Sequence, residues 1–319
     1  MTVDAFRSVR LVVANPELSF CRTVSSALFP HGLRDVSICL DGERLREAAA
    51  ATVDVIACDT DLPKLDFPGF VQDLRQGRVG ANPFAAVIAI VADKDESKAS
   101  GITRSGVDDV LVKPLNPLML VVHIGRLSQG REKFVMTPGY VGPSRRATRR
   151  NDGSDDNLVV VPNTLRAKMI ERKDERAVEA IVAAGRSNLD QEKAINGHRV
   201  LCRMARHLAK LFEQDAPADD RRAVLFGLGR MASDVAGRHA VPEAGGHNHA
   251  PAILDRIARL ASRGQAAPGG PTKKEVELVM QLADAAIAAV APRAIETDLT
   301  APVALPKIVA IVDDYLGRP

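Results

Sequence analysis

Five short apolar runs alternate with longer segments of helical periodicity in the first 130 residues of this 319-residue chain. Such alternation predicts a parallel sheet with helices on both of its faces. The run at residues 87–91 is apolar throughout, as expected of a strand that is covered on both sides. We therefore predict a doubly wound, five-stranded parallel α/β domain, with strands at 10–14, 33–39, 53–58, 86–91 and 109–112.

An acid and a base each follow one of these predicted strands. Asp59 comes directly after the third strand and precedes Thr60-Asp61-Leu62-Pro63, and Lys113 comes directly after the fifth strand and precedes Pro114. If the two strands are neighbours, both side chains lie at the carboxyl edge of the sheet, where doubly wound folds place their chemistry. The sequence thus predicts a charged site at this edge.

These residues, with Gly106 seven positions before Lys113, resemble the receiver domain of bacterial response regulators, which has a flavodoxin-like fold. The resemblance covers residues 8–130. It implies that Asp59 accepts a phosphoryl group from a histidine kinase or phosphotransfer protein, and that Lys113 pairs with the phosphate. It also places Asp61 where the family binds Mg²⁺ through a backbone carbonyl.

Several positions depart from the family's pattern. Ala14 and Asn15 stand where the family has two metal-binding acids, Val91 stands where it has a Ser or Thr, and Val110 replaces an aromatic residue that changes rotamer on activation. Asn15 and Asp61 remain as candidate metal ligands. Because Mg²⁺ favours anionic oxygen, we expect at most weak binding of this ion and weak phosphorylation of Asp59.

The rest of the chain divides into a linker and a helical half. Residues 131–163 are rich in Gly and Pro and contain Arg145, Arg146, Arg149 and Arg150, so we predict a flexible basic linker. Residues 164–319 predict an all-helical output or interaction domain, with Thr272 and Glu275 forming a capping box. The predicted helices are 164–184, 188–213, 219–236, 251–262, 272–290 and 306–316.

Composition limits the class of protein. No apolar run approaches the ~18 residues that span a bilayer, the N-terminus lacks a secretory signal, and the four cysteines are scattered, so we expect a cytoplasmic protein without a membrane segment. The net charge is only +3, and basic residues such as Arg203, Arg206 and Lys210 are interpreted as interleaved with acids or apolar faces. Together with the lack of a helix-turn-helix pattern, this argues against nucleic acid as a partner.

Two histidine patterns have ordinary interpretations. His207 and Lys210 resemble the His-x-x-Lys of phosphotransfer domains, but Leu211 follows where that family has a small residue, so we favour a partly exposed helical histidine. His247 and His249 lack acid or thiol ligands nearby, which argues against a metal site.

The sequence favours a response-regulator-type signalling protein of a two-component phosphorelay, in which the receiver surface regulates a helical, protein-binding output domain. One alternative is a phosphorylation-independent adaptor with a degenerate pseudo-receiver, and a second is a DNA-binding transcriptional regulator. No catalytic motif follows residue 130, so we do not predict an enzyme. The sequence specifies neither the kinase, nor the output partner, nor the oligomeric state.

Overall fold

The computed structural model describes residues 6–92, 101–137, 139–145, 158–238, 250–267 and 269–290. The predicted helix at 306–316 and the pair His247 and His249 lie outside these residues. The chain divides into two compact units, Met1–Leu189 and Asp190–Pro319.

A five-stranded parallel sheet forms the centre of the first unit, in the order β2-β1-β3-β4-β5. Its strands are β1 (Arg10–Ala14), β2 (Asp35–Cys39), β3 (Val55–Asp59), β4 (Ala86–Val91) and β5 (Asp109–Val112). The strands β3 and β4 are buried along their whole length, because helices cover both faces of the sheet. The predicted doubly wound fold is confirmed.

The flanking helices are α1 (Leu18–Leu28), α2 (Gly42–Ala49), α3 (Phe67–Arg75) and α4 (Pro117–Gln129), and residues 101–104 are also helical. Their starts follow local capping chemistry. The Asp41 side chain accepts a hydrogen bond from the Arg44 amide, and the Asn116 side chain accepts one from the Leu118 amide next to Pro117. One hydrophobic core lies on each face of the sheet, and alternate residues of β1, such as Val12 and Val13, belong to opposite cores.

The segment after α4 is not the structureless linker predicted from its Gly and Pro content. Within its described residues it forms a small antiparallel sheet of β6 (Phe134–Thr137), β7 (Tyr140–Pro143) and β8 (Leu158–Val159), in the order β7-β6-β8. The turn between β6 and β7 is held by a 3.0 Å hydrogen bond from the Tyr140 amide to Thr137 Oγ1. Within this hairpin Gly142 permits close approach of its backbone to Gly106, where an added Cβ would lie 2.8 Å from the Gly106 Cα.

The predicted domain boundary at residue 164 is also wrong. A short helix α5 (Thr164–Met169) and the first part of α6 (Glu175–Glu213) belong to the first unit. Leu165 and Met169 are buried in the same core as β1 and α4, and the unit ends at Leu189, inside α6. The core of the first unit is therefore incomplete without residues beyond 163.

The helices α6 (Glu175–Glu213), α7 (Ala218–Arg238), α8 (Ala250–Ala266) and α9 (Lys273–Val290) continue the chain. The predicted break at residues 185–187 is absent, because Gly185 brings the intact α6 against Pro162 and Phe84. The break falls earlier, at 170–174, where Asp174 caps the start of α6 by accepting from the Ala177 amide at 2.8 Å. The predicted capping box is confirmed, with the Thr272 amide donating to Glu275 Oε2 at 2.8 Å.

The described part of the chain contains no helix that combines the length and the apolar character needed to cross a membrane.

Candidate functional site

Asp59 lies at the carboxyl edge of the sheet, as the last residue of β3, and its side chain is only 1% exposed. Lys113 follows β5, and its ammonium group forms an ion pair with Asp59 Oδ2. The two strands are not neighbours, because β4 lies between them. The long lysine side chain spans that strand, while the Lys113 amide donates to Val91 O at 2.9 Å. The peptide bond between Lys113 and Pro114 is cis.

Asn15 is a second donor to Asp59. Its Nδ2 donates to Asp59 Oδ2 at 2.7 Å, and its Oδ1 accepts from the Glu17 amide at 2.8 Å. The Glu17 N–H can only donate, so it fixes the amide with the oxygen toward Glu17 and the nitrogen toward Asp59. Asn15 is 2% exposed, which leaves this arrangement little competition from water.

The remaining Asp59 oxygen, Oδ1, accepts from the Asp61 backbone amide at 3.1 Å. The side chain of Asp61 is exposed at the surface and does not converge on Asp59 with other acids. Across the described residues, no group of three or more His, Cys, Asp or Glu side chains could hold a metal ion. In this orientation Asn15 does not fit a Mg²⁺ ligand, since it presents an N–H group to Asp59 where a cation would need oxygen.

The other departures from the receiver pattern are apolar in the structure. Ala14 is fully buried between β2 and β3, and Val91 is 5% exposed in the core beside Ile102 and Val107. Val110 is half-buried on β5 and packs against the same core. None of these side chains can donate a hydrogen bond to a group at Asp59. Among the described residues, the Asp59 carboxylate accepts from Asn15, Lys113 and the Asp61 backbone.

Three cysteine thiols lie near this edge but are not nucleophiles. Burial raises the pKa of Cys58 well above its usual value, and the charge of Asp59 raises it further. Burial likewise raises the pKa of Cys39 to about 11 and raises the pKa of Cys21. These groups stay protonated near neutral pH and act as small apolar side chains.

Two charge clusters at the opposite, amino edge of the sheet were not predicted from the sequence. In the first, Lys168 Nζ lies 2.8 Å from Asp54 Oδ2 and 3.0 Å from Glu175 Oε2, and Asp54 and Lys168 are almost completely buried. This cluster fastens α5 and the start of α6 to the residue before β3. The feature of the sequence that could have indicated this cluster is the acid Asp54, which lies within an otherwise apolar run.

The second cluster centres on Asp108, immediately before β5. Its two carboxylate oxygens each accept from an arginine at 2.7 Å, one from Arg75 and one from Arg131. Both guanidinium groups lie 5.2 Å from the centre of the Phe134 ring, so β6 is bound through the same cluster. Arg75 also donates to Gly106 O, the residue that touches the β6–β7 hairpin.

In the second unit, the sequence suggested that basic residues of α6 are interleaved with acids and apolar faces. The structure instead places three of them together, namely Arg203, Arg206 and Lys210. They follow one another at spacings of three and four residues along an unbroken part of α6, and all three are exposed. His207 lies within the same strip and is exposed, as predicted for an ordinary helical histidine.

Comparison with known proteins gives matches only among solved structures, because no protein-family model and no curated protein matches the chain. The receiver domain of the Francisella response regulator 1452 is 25% identical, with a TM-score of 0.33, over 38% of this chain and 96% of that chain. CheY4 of Vibrio cholerae is 24% identical, with a TM-score of 0.33, over 37% and 98%. DrrB of Thermotoga maritima, an OmpR/PhoB homologue, is 19% identical, with a TM-score of 0.36, over 56% and 88%.

The strand order β2-β1-β3-β4-β5, with an acid ending β3 and a lysine following β5, is the receiver fold. The N-terminal part of this chain thus has the architecture of response regulator receivers.

Proposed function

We propose that this chain is a response-regulator-type signalling protein whose receiver works without phosphorylation, as a docking module linked to a helical, protein-binding output region. Such a protein combines a closed Asp59 site, a receiver surface that still binds kinases or phosphotransfer proteins, and a non-enzymatic output. By a closed site we mean that protein groups contact both carboxylate oxygens of Asp59. Function without phosphorylation depends on this property.

The observation that carries it is the orientation of Asn15. An Asn at this position could serve a metal through its oxygen, but here that oxygen is engaged by the Glu17 amide and the nitrogen donates to Asp59. A protein N–H thus occupies the side of Asp59 where transfer of a phosphoryl group needs a divalent cation to neutralise the developing charge. Lys113 neutralises the charge of Asp59 directly. The carboxylate therefore has a counter-charge without a metal ion or a phosphoryl group.

The docking role is supported by what the fold retains. The sheet, its flanking helices and the Asp59–Lys113 pair persist although the acids and the hydroxyl that would serve phosphorylation are replaced by Ala14, Asn15 and Val91. A surface that partners recognise by shape and charge does not require these groups. For the output region we propose a binding role, because its described helices pack into one apolar core and present a charged outer face on α6.

The experiment is treatment of the full chain with a small acyl phosphate and Mg²⁺, followed by intact-mass and peptide mass spectrometry. We expect Asp59 to remain unmodified. The matched variant is Ala14→Asp combined with Asn15→Asp, which introduces acids at the two positions where receivers carry them, and we expect it to gain Mg²⁺-dependent modification. Adding Asp59→Asn to that variant is the control that assigns the modified residue.

Rapid, stoichiometric, Mg²⁺-dependent modification of Asp59 in the unaltered chain would show that the proposal is wrong. The phosphorelay hypothesis would then replace it, with Asp61 or a reoriented Asn15 supplying the metal ligand.

A further inference from the structure

The exposed face of α6 in the second unit carries a compact group of basic side chains. We call Arg203, Arg206, His207 and Lys210 the basic patch. Arg203 is three or four residues from Arg206 and His207, and each of these is three or four residues from Lys210, so the four side chains lie on one face of the helix. The patch is about 10 Å long at 1.5 Å per residue.

The patch is held on a rigid support. The opposite side of the same turns of α6 is buried, with Leu201, Ala205 and Leu208 each no more than 1% exposed in the packing against the other helices of this unit. Arg206 lies 3.6 Å from Asp284 on α9, which restrains that side chain without burying it. The basic groups are therefore presented at fixed spacing, and binding to them loses little backbone entropy.

The charge of the patch is cancelled only in part. Arg203 and Lys210 have no carboxylate partner within the part of the chain that the structure describes, and Arg206 pairs with Asp284. The three cations of the patch therefore exceed the one carboxylate that is paired with them. Such a local field attracts anionic groups.

The acids around the patch favour a short anion. Exposed Glu213 lies one turn beyond Lys210 on α6, and Asp284 of α9 pairs with Arg206 in the middle of the patch. A long polyanion such as duplex DNA that ran along α6 past Lys210 would meet Glu213. A short acidic segment, with carboxylates at helical spacing, would end before Glu213 and pair with the arginine forks.

We propose that the basic patch is the docking surface for a short acidic segment of a partner protein. This inference rests on the proposed function in that it names the partner chemistry of the output region, but it can be tested without reference to Asp59.

The test uses the full chain and a fluorescein-labelled peptide with glutamates at i, i+3, i+4 and i+7, measured by fluorescence anisotropy at low and physiological salt. We expect binding that weakens with salt and is lost when glutamine replaces the glutamates. The test variant is Arg203→Glu with Lys210→Glu. The control is Arg22→Glu with Arg104→Glu, which makes the same change of charge at exposed positions of the first unit.

We expect the patch variant to weaken peptide binding at least about tenfold and the control variant less than about twofold, since only the former reverses charges that touch the peptide. Circular dichroism confirms that both remain folded. Equal weakening by the two variants, or no glutamate-dependent binding at low salt, would overturn the inference. Tighter binding of duplex DNA than of the peptide, lost in the patch variant, would instead assign the patch to nucleic acid. None of these results depends on whether Asp59 is modified.

Discussion

At the scale of single residues, the Asp59–Lys113 pair determines the charge balance of the carboxyl edge. Asp59 is 1% exposed but Lys113 is 35% exposed, so the pair is only half removed from water. Water screens the lysine and reduces what the ion pair contributes to stability. Removing the lysine would nevertheless leave the buried Asp59, among the described residues, with the uncharged donors Asn15 and the Asp61 amide.

We therefore predict that Lys113→Met lowers the free energy of unfolding by about 1–2 kcal/mol, below the loss of ~3–5 kcal/mol for fully buried pairs. Urea unfolding at neutral pH measures it, and adding Asp59→Asn should recover part of the loss. The control is Lys64→Met, which removes the exposed pair with Glu43 and should cost less than about 0.5 kcal/mol. Equal effects of the two substitutions would contradict the prediction.

Asp108 gives a prediction with a pH dependence. Burial opposes its ionisation, but the charges of Arg131 and Arg75 outweigh burial and lower its pKa. A carboxyl group whose pKa is lower in the folded state stabilises the fold above its unfolded pKa of about 3.9, and this stability is lost as pH falls through the folded pKa. Asp108→Asn also leaves two buried arginines without their shared carboxylate.

We expect Asp108→Asn to lower the free energy of unfolding by about 3–5 kcal/mol at pH 7. The difference from the unaltered chain should shrink as pH falls below about 4. Urea unfolding across this pH range measures both effects, and Asp73→Asn, which removes an exposed pair with Arg78, is the control. A difference that did not change with pH would rule out the charge of Asp108 as its cause.

At the scale of secondary-structure elements, the β6–β7 hairpin is fitted to the receiver by close backbone approach. A Cβ at Gly142 would lie 2.8 Å from the Gly106 Cα and 2.7 Å from the Tyr140 hydroxyl, and Gly106 itself adopts φ +104°. Both glycines are required here, one for space and one for its backbone conformation.

We predict that Gly142→Ala destabilises the first unit by about 1–3 kcal/mol, because the hairpin must move away from Gly106 to admit the methyl group. Gly139→Ala, at the turn of the same hairpin, is the matched control, since nothing lies within 4 Å of the added Cβ. Thermal unfolding of the two variants compares them. A Gly142→Ala protein as stable as the Gly139→Ala protein would show that the hairpin does not pack on this loop.

At the scale of the whole molecule, the folding units and the sequence domains have different boundaries. The first unit extends to Leu189, because Lys168, Leu165 and Met169 complete its charges and its core. A fragment ending at residue 163 would leave Asp54 buried without its lysine and would expose the core that α5 covers.

We predict that fragment 1–189 folds cooperatively and that fragment 1–163 does not. Circular dichroism and amide proton dispersion in NMR spectra of the purified fragments measure this. The matched comparison is fragment 190–319 against fragment 164–319. We expect the shorter fragment to aggregate less, since the longer one carries exposed apolar residues of the first unit. Independent folding of fragment 1–163 would contradict this prediction and support the domain boundary at residue 164 that the sequence suggested.

The sequence by itself determined the parallel sheet and the placement of Asp59 and Lys113 at one edge. These properties follow from local periodicity and from the residue types at strand ends, which a single sequence displays. The loss of acids at Ala14 and Asn15 followed from the resemblance to receiver domains. The capping box at Thr272 was predictable for the same reason, since its partners are three residues apart.

Only the tertiary structure decided that β4 separates Asp59 from Lys113, that Asn15 donates to Asp59, and that residues up to Leu189 complete the first unit. Each depends on contacts between distant residues, such as Lys168 with Asp54, which lie 114 positions apart. Local patterns do not encode which distant side chain neutralises a buried charge. That choice is made by the packing of the whole core, which admits a buried ion only beside its partner.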